Sequence, residues 1–237
     1  MREPLSSISR YLRKRVLMSS PHLREQRPKA VLFDYDDTLV QTRQCKYSAL
    51  RALGSRHYSL DLTDADIDRH WGIAYTELFR ALFGGVEPDL ALAISRYEAL
   101  DGEFSMSPYP DTVRTLTALA DRALIGVVTA AGRSIVERQM RQLEFPLARL
   151  AILQTAEDTL HHKPDPRVFA PAMEALAQLG VEKSQTAYVG DSLKDFQAAR
   201  DAGMRFVGVL HGTTSLEEFA AAGAETVESL DALLDRL

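Results

Sequence analysis

The stretch Ala30-Val31-Leu32-Phe33-Asp34-Tyr35-Asp36-Asp37-Thr38-Leu39 decides how the chain is read. Four apolar residues run without a polar break and stop at an acid. A half-exposed strand alternates apolar with polar residues, whereas an unbroken run suits a strand buried on both faces, as in a parallel sheet. Three acids in four positions then stand at the strand's carboxyl end, the edge where open α/β sheets bind ligands. Taken alone, the same residues also read as a polar turn with a helix N-cap, because Asp and Thr cap helices well.

The pattern repeats outward. Leu124–Val128, ending at Thr129, Ala151–Leu153, Ala187–Val189, ending at Gly190-Asp191, and Phe206–Leu210 are further apolar runs. Helical faces lie between them: Val113, Leu116 and Leu119; Val136, Met140 and Leu143; Phe169, Met173, Leu176 and Leu179. Asp165-Pro166 starts a helix, with a kink or late start expected at Pro171, and Gly180 and Gly203 stand where C-terminal caps belong. Strands alternating with helices predict an α/β fold, a doubly wound, mainly parallel, Rossmann-like sheet with right-handed crossovers.

One stretch breaks the alternation. Residues 42–107 contain no convincing strand, but Tyr47, Leu50 and Leu53, then Ile73, Leu78, Phe79 and Leu82, then Leu90, Ile94 and Tyr97 follow helical spacing. They predict a separate helical module inserted after the first strand and closed by Pro108-Tyr109-Pro110. The expected organisation is a basic extension (1–29), a core (30–41 and 108–237) and the insert (42–107).

Composition sets the outer bounds. The 237 residues are 46% apolar and 26% charged, a globular balance long enough to bury a core without staples. The single cysteine, Cys45, excludes a disulfide framework and any multi-cysteine metal site. No apolar run is long enough to span a membrane, and a net charge of −5 gives no global pull toward nucleic acid or anionic lipid. The charge is uneven: residues 1–29 carry +6 and the other 208 carry −11. The basic head lacks the apolar centre of a secretory signal, has some of the Arg-rich, acid-poor character of an organellar transit peptide, and reads most simply as a solvated tail or a short helix on the body, with Met18 an alternative start. A cytoplasmic location is expected, with organellar targeting by residues 1–29 left open.

The fourth run ends in Gly190-Asp191-Ser192-Leu193-Lys194-Asp195. If a helix starts there, Asp191 and Asp195 project on one face and repel. A cation between them reverses that cost, and an all-oxygen donor set suits a hard ion such as Mg²⁺. The alternative is an N-cap aspartate followed by a solvated one. In a parallel sheet Asp34, Asp36, Asp191 and Asp195 share one edge, bringing −4 into a small volume. At an effective dielectric near 20, like charges about 4 Å apart repel by roughly 4 kcal/mol per pair. A divalent cation and one lysine would supply +3, and Lys163, in Lys163-Pro164-Asp165-Pro166, follows the third strand, although a lone lysine there is ordinarily a surface residue. Thr129 and the amides of Ala130 and Ala131 form a small anion cradle, to which a helix near Ser134 adds its positive end.

Asp34-x-Asp36-x-Thr38-Leu39, Thr129, Lys163-Pro164 and Gly190-Asp191-x-x-x-Asp195 resemble, in order and placement, the four motifs of the haloacid dehalogenase-like hydrolase superfamily. The helical insert sits where that family has its type-1 cap, and Ala198-Ala199-Arg200-Asp201-Ala202-Gly203 resembles the branch of phosphoglycolate phosphatase. The resemblance covers residues 30 to about 212. The first and fourth motifs are specific, and the other two gain weight from them. Asp37 departs from a common Gly, and Ala130 from a common Asn.

The resemblance implies hydrolysis of a small phosphate monoester through an aspartyl-phosphate. Asp34 is then the nucleophile and Asp36 the general acid and base. Mg²⁺ is held by Asp34, the Asp36 carbonyl and Asp191, with Asp195 either holding a water ligand or orienting Lys163. Thr129, the Ala130 amide and Lys163 bind the phosphoryl group. An acid at position 36 favours a phosphatase or phosphomutase over a dehalogenase, and Asp195 favours hydrolysis. A β-phosphoglucomutase-like mutase and a non-catalytic binding protein on the same fold are the alternatives. Arg69, His70 and Trp71, in Arg69-His70-Trp71-Gly72, are candidate substrate contacts from the cap, with Trp71 equally suited to the cap's own core, and Arg43 and Lys46 could meet an anionic substrate. The expected partner is a small phosphorylated metabolite, with neither nucleic acid nor membrane.

Overall fold

The computed structural model describes residues 27–71, 75–100 and 102–237. The basic head as far as residue 26, Met18 included, together with Gly72 and Ile73, lies outside the described residues. Strands β1 (Ala30–Phe33), β2 (Leu124–Val128), β3 (Leu150–Gln154), β4 (Thr186–Gly190), β5 (Arg205–Val209) and β6 (Glu225–Val227) form one sheet in the order β3-β2-β1-β4-β5-β6. Every pairing is parallel. This is the doubly wound arrangement, whose winding reverses between β1 and β4. The sixth strand was not expected from the sequence: it is three residues long, at the sheet's edge and partly exposed, so it has no apolar run.

The unbroken apolar character of β1 has the predicted cause. Val31 and Phe33 enter a cluster on one face of the sheet, Ala30 and Leu32 a cluster on the other, and all four are fully buried. The first cluster is closed by α5 (Thr112–Ala120) and α6 (Arg133–Gln142), the second by α7 (Ala170–Gln178), α8 (Leu193–Ala202) and α9 (Leu216–Ala222). The element at Asp165 starts as a 3-10 turn capped by the Asp165 carboxylate and becomes α-helical only at Ala170, the late start that Pro171 at the second helical position permits. Leu179 does not continue its buried face. It is the C-cap of α7, 55% exposed, where Gly180 turns the chain at φ +76°.

Among the described residues, four helices lie between β1 and α5: α1 (Thr42–Tyr58), α2 (Asp64–Asp68), α3 (Tyr75–Phe83) and α4 (Leu90–Glu98). They bury their own cluster around Leu50, Leu53, Ile67, Phe79 and Phe83, separate from the two that flank the sheet. The chain leaves and returns along paired linkers. Val40 bridges Pro108 antiparallel, and the Gln41 N–H donates to the Ser107 carbonyl at 2.9 Å. No described helix is long and apolar enough to cross a membrane.

Candidate active site

Because β1 and β4 are neighbours, their carboxyl ends open on the same crevice. Asp34 follows β1, and its N–H still donates across to Val189 of β4 at 2.8 Å. Asp191 follows β4. One oxygen each of Asp34, Asp191 and Asp195 lies within 4.8 Å of the others, and all three residues are buried. Lys163 closes the group: its Nζ stands 2.6 Å from Asp34 Oδ1 and 2.7 Å from Asp195 Oδ1. Residues 129 and more apart in sequence thus meet because parallel strands deliver their ends to one edge.

Local contacts explain how each side chain is held. Asp191 precedes the helix rather than sharing a face with Asp195: Ser192 is the N-cap and Asp195 the third helical residue. They form a reciprocal capping box, in which the Ser192 hydroxyl accepts from the Asp195 N–H at 3.2 Å and Asp195 Oδ2 accepts from the Ser192 N–H at 3.1 Å. Asp195 Oδ1 faces Lys163 and the Tyr188 hydroxyl. Both oxygens are therefore engaged, which fits Asp195 for orienting the lysine. Gly190 is required by this turn, since a Cβ there would stand 2.6 Å from Asp195 Cβ. Asp191 Oδ2 accepts from the N–H and hydroxyl of Thr213, at 2.8 and 2.7 Å, while Thr38 reaches Oδ1 only at 3.4 Å. Lys163 is placed by the turn after β3. There the buried Gln154 amide donates to Val168 O at 2.6 Å and accepts from Ala172 N at 3.0 Å, tying the following helix to the strand.

Asp36 is half-buried and accepts a 2.6 Å hydrogen bond from the Thr42 hydroxyl at the start of α1. Asp37 explains its own departure from glycine. Its φ is +54°, a left-handed conformation that Asp and Asn adopt more readily than most side chains. Its carboxylate accepts from the Arg43 N–H, supplying the cap that Gln41 does not. Thr129 follows β2, buried, with its hydroxyl accepting from the Ala131 N–H at 3.0 Å. The positive end of α6 is already engaged: the Arg133 N–H donates to the Glu157 carboxylate.

The electrostatics ask for a cation. Burial lifts the Asp34 carboxyl well above the usual range; Lys163 pulls it back, and Asp195, Asp191 and Asp36 push it further up. Burial and Asp195 raise Asp191, against the hydrogen bonds from Thr213. Burial alone would push Lys163 down, but Asp195 and Asp34 hold it well above the usual lysine value, so it stays charged. Among the described residues the three clustered carboxylates of Asp34, Asp191 and Asp195 face one ammonium, and Asp34 and Asp191 keep oxygens that protein donors do not saturate. That donor set fits a hard, oxygen-binding divalent ion.

The insert's candidates engage one another. Arg69 pairs with Asp66 on the surface, Trp71 packs edge-on against Tyr47 with ring centroids 4.8 Å apart, and His70 is half-buried in the same turn. Arg43 pairs with Asp68 and lies over the Tyr47 ring, and Lys46 lies 6.0 Å from the Trp71 ring centroid. Sequence reasoning missed Thr42, Gln154, Tyr188 and Thr213. For Thr213 a signal existed: Leu210-His211-Gly212-Thr213-Thr214 closes the fifth apolar run with a glycine and hydroxyls, much as the fourth closes with Gly190-Asp191-Ser192.

Comparison with known proteins identifies the family and several relatives. The profile of the family described as haloacid dehalogenase-like hydrolase matches residues 31–209. An N-acetylmuramic acid 6-phosphate phosphatase from Pseudomonas aeruginosa is 29% identical over 213 residues, covering 86% of this chain and 92% of the relative. A phosphoglycolate phosphatase from Xylella fastidiosa is 29% identical over 199 residues, covering 81% and 84%. A Bacteroides fragilis crystal structure described as a haloacid dehalogenase-like hydrolase superposes with a TM-score of 0.69 at 29% identity, covering 87% of this chain and all of that one.

Proposed function

Because the chain belongs to the haloacid dehalogenase-like hydrolases, we propose that it is a magnesium-dependent phosphatase of small phosphate monoesters, with Asp34 as nucleophile. The observation that carries the reading is Lys163 Nζ set between Asp34 and Asp195, at 2.6 and 2.7 Å, beside Asp191. A structural ion pair needs one acid for one lysine; this group has an excess of carboxylates in a crevice at the sheet's switch point.

Asp34 attacks phosphorus in line, forming an acyl-phosphate bond as the bond to the leaving oxygen breaks. Asp36, steered by Thr42, gives its proton to the departing alkoxide. It then takes a proton from the water that attacks the aspartyl-phosphate, which releases inorganic phosphate and restores Asp34. Lys163, the Thr129 hydroxyl and the Ala130 amide take the phosphoryl oxygens. Asp195 keeps Lys163 aimed. Asp34, Asp191 and the Asp36 carbonyl would hold Mg²⁺, which when bound supplies positive charge against the phosphoryl oxygens. The four-helix insert acts as a cap that limits the site to small substrates and excludes water. The relatives' names point to different esters, so the substrate is set by this chain's own cap surface.

The test is phosphate release from a panel of sugar, glycolyl, glyceryl and nucleotide phosphates, with Mg²⁺ and with chelator. Turnover of at least one ester is expected only with Mg²⁺, and Asp34→Asn should abolish it while leaving the circular dichroism spectrum intact. Undiminished turnover by Asp34→Asn overturns the nucleophile; turnover indifferent to chelation overturns the metal.

A further inference from the structure

The second linker of the insert touches the acid loop through a feature the mechanism above does not use. Tyr109, half-buried, donates its N–H to the Leu39 carbonyl at 3.2 Å. Its ring stacks on His211, with centroids 3.6 Å apart and planes 24° apart, and its hydroxyl donates to the His211 carbonyl at 3.2 Å. His211 Nε2 lies 3.0 Å from the Thr38 carbonyl. A carbonyl only accepts, so Nε2 carries the proton. The imidazole is therefore held on its face by the linker and on its edge by the loop after β1.

The residues that follow wrap Asp191. Thr213 grips Oδ2 twice, and the Thr214 N–H donates to the Asp191 carbonyl at 3.2 Å. Gly212 lies so close that a Cβ on it would stand 2.1 Å from Asp191 Cβ. The loop can hold that carboxylate only while it is pressed against it, and His211 is the side chain just upstream that anchors the loop on two sides.

We propose that His211 is a positioning residue: stacked on Tyr109 and bonded to Thr38, it fixes the loop that orients Asp191, so the linker carrying the insert sets how tightly the site holds magnesium. The proposal rests on the reading of Asp191 as a magnesium ligand. Partners that bond a metal ligand directly, as Thr213 bonds Asp191, commonly change metal affinity by about 10–100-fold, and His211, acting through that loop, belongs at the lower end of that range.

The test is calorimetric titration of the full chain with MgCl₂ in the absence of substrate, with a melting curve of each metal-free variant. For His211→Ala, the Mg²⁺ dissociation constant should rise about tenfold. The Mg²⁺ concentration for half-maximal turnover should rise in parallel, while kcat at saturating Mg²⁺ falls by less than about threefold. His211→Gln keeps an N–H donor for Thr38 and should recover most of the affinity. Tyr109→Leu removes the stack but leaves His211 and its bond to Thr38 in place, and should weaken Mg²⁺ binding by about three- to tenfold, giving a second route should His211→Ala fail to fold. Wild-type affinity in both His211→Ala and Tyr109→Leu, with only a lowered melting temperature, would mean a structural role and overturns the proposal alone. Absence of Mg²⁺ binding by the wild-type chain overturns the metal reading and this proposal with it.

Discussion

The carboxyl edge of the sheet and the helical insert hold their acids in opposite ways. At the edge, Asp34 and Asp191 are buried and crowded, and burial raises both carboxyls. In the insert, Asp66, Asp68 and Glu103 are each lowered by a nearby partner: the Thr63 hydroxyl, the Tyr47 hydroxyl and Arg56 respectively. The insert's charges are satisfied within the insert and in water. Those at the edge have partners in Lys163 and Thr213, but they crowd more carboxylates than ammonium groups into a buried volume, the kind of perturbation that clusters at functional sites. The insert is instead held by an aromatic cluster that closes without help from the sheet.

The largest effect that could break this separation comes from the insert's core. Phe79 is fully buried, with ring centroids 4.9 Å from Tyr75, 5.3 Å from Tyr97 and 5.7 Å from Phe83. Phe79→Ala should cost about 3–5 kcal/mol. The chain's one tryptophan, Trp71, lies in the insert and reports on it alone, whereas far-ultraviolet circular dichroism reports on the whole chain. In the variant, the Trp71 fluorescence transition should fall to lower denaturant than the circular dichroism transition. Coincident transitions would show one cooperative unit and end the division into two bodies.

Next in size is the turn that sets Lys163. A Cβ at position 190 would meet Asp195 Cβ at 2.6 Å, so Gly190→Ala must shift the start of α8 and with it the lysine's partner. Misplacement on the order of 1 Å at a reacting group costs about 10²-fold in rate. The expected outcome in steady-state phosphate release is a fall in kcat of that order with an unchanged insert, read as an unshifted Trp71 emission. Near-normal kcat would mean that the edge is less exactingly packed than the insert.

How far these features could be read in advance follows from how local they are. Both acid clusters were legible because each is an apolar run followed at once by its acids, and parallel pairing alone brings β1 and β4 together. The helices α1, α3 and α4 between Thr42 and Glu98 were legible from their apolar spacing. The contacts of Tyr109 and His211 were not, since they act on residues 102 and 173 positions away and carry no periodic signal, and Thr213, 22 positions from Asp191, was marked only by the glycine and hydroxyls that close its apolar run. Leu179 kept the helical period one step beyond the point where Gly180 ends the helix. The pairing of Arg43 with Asp68 was not legible either, since it depends on how α2 packs.

The acids themselves give a smaller effect with a definite sign. Burial, opposed by the Arg43 N–H and reinforced by Asp191 and Asp36, raises Asp37 to about 6. A raised folded-state pKa means that the folded form holds the proton more tightly. The stability this group contributes is present in full below about pH 4 and is lost as pH rises through 6. Asn also tolerates the left-handed conformation and keeps an oxygen for Arg43. Metal-free Asp37→Asn should therefore be more stable than wild type at pH 7.5, by up to about 3 kcal/mol, and indistinguishable from it near pH 4. Thermal melts at the two pH values check this, and an equal gain at both would assign the effect to packing rather than charge.

The smallest effect sharpens the other side of the comparison. Arg51 on α1 pairs with Asp64 at the start of α2, with side-chain exposures of 39% and 65%. In water such a pair gains little Coulomb energy, orders two long side chains and is screened by salt. Arg51→Ala should change stability by less than about 0.5 kcal/mol at 0.15 M salt and leave kcat unchanged. Lys163 sits between its two acids with only 14% of its side chain exposed, so the same truncation there leaves the buried Asp34 and Asp195 carboxylates without the ammonium that pairs them. A pair of melting curves in low and high salt distinguishes the two cases. If Arg51→Ala lost several kcal/mol irrespective of salt, the insert would depend on its ion pairs as the edge depends on its lysine, and the contrast between the regions would be one of degree.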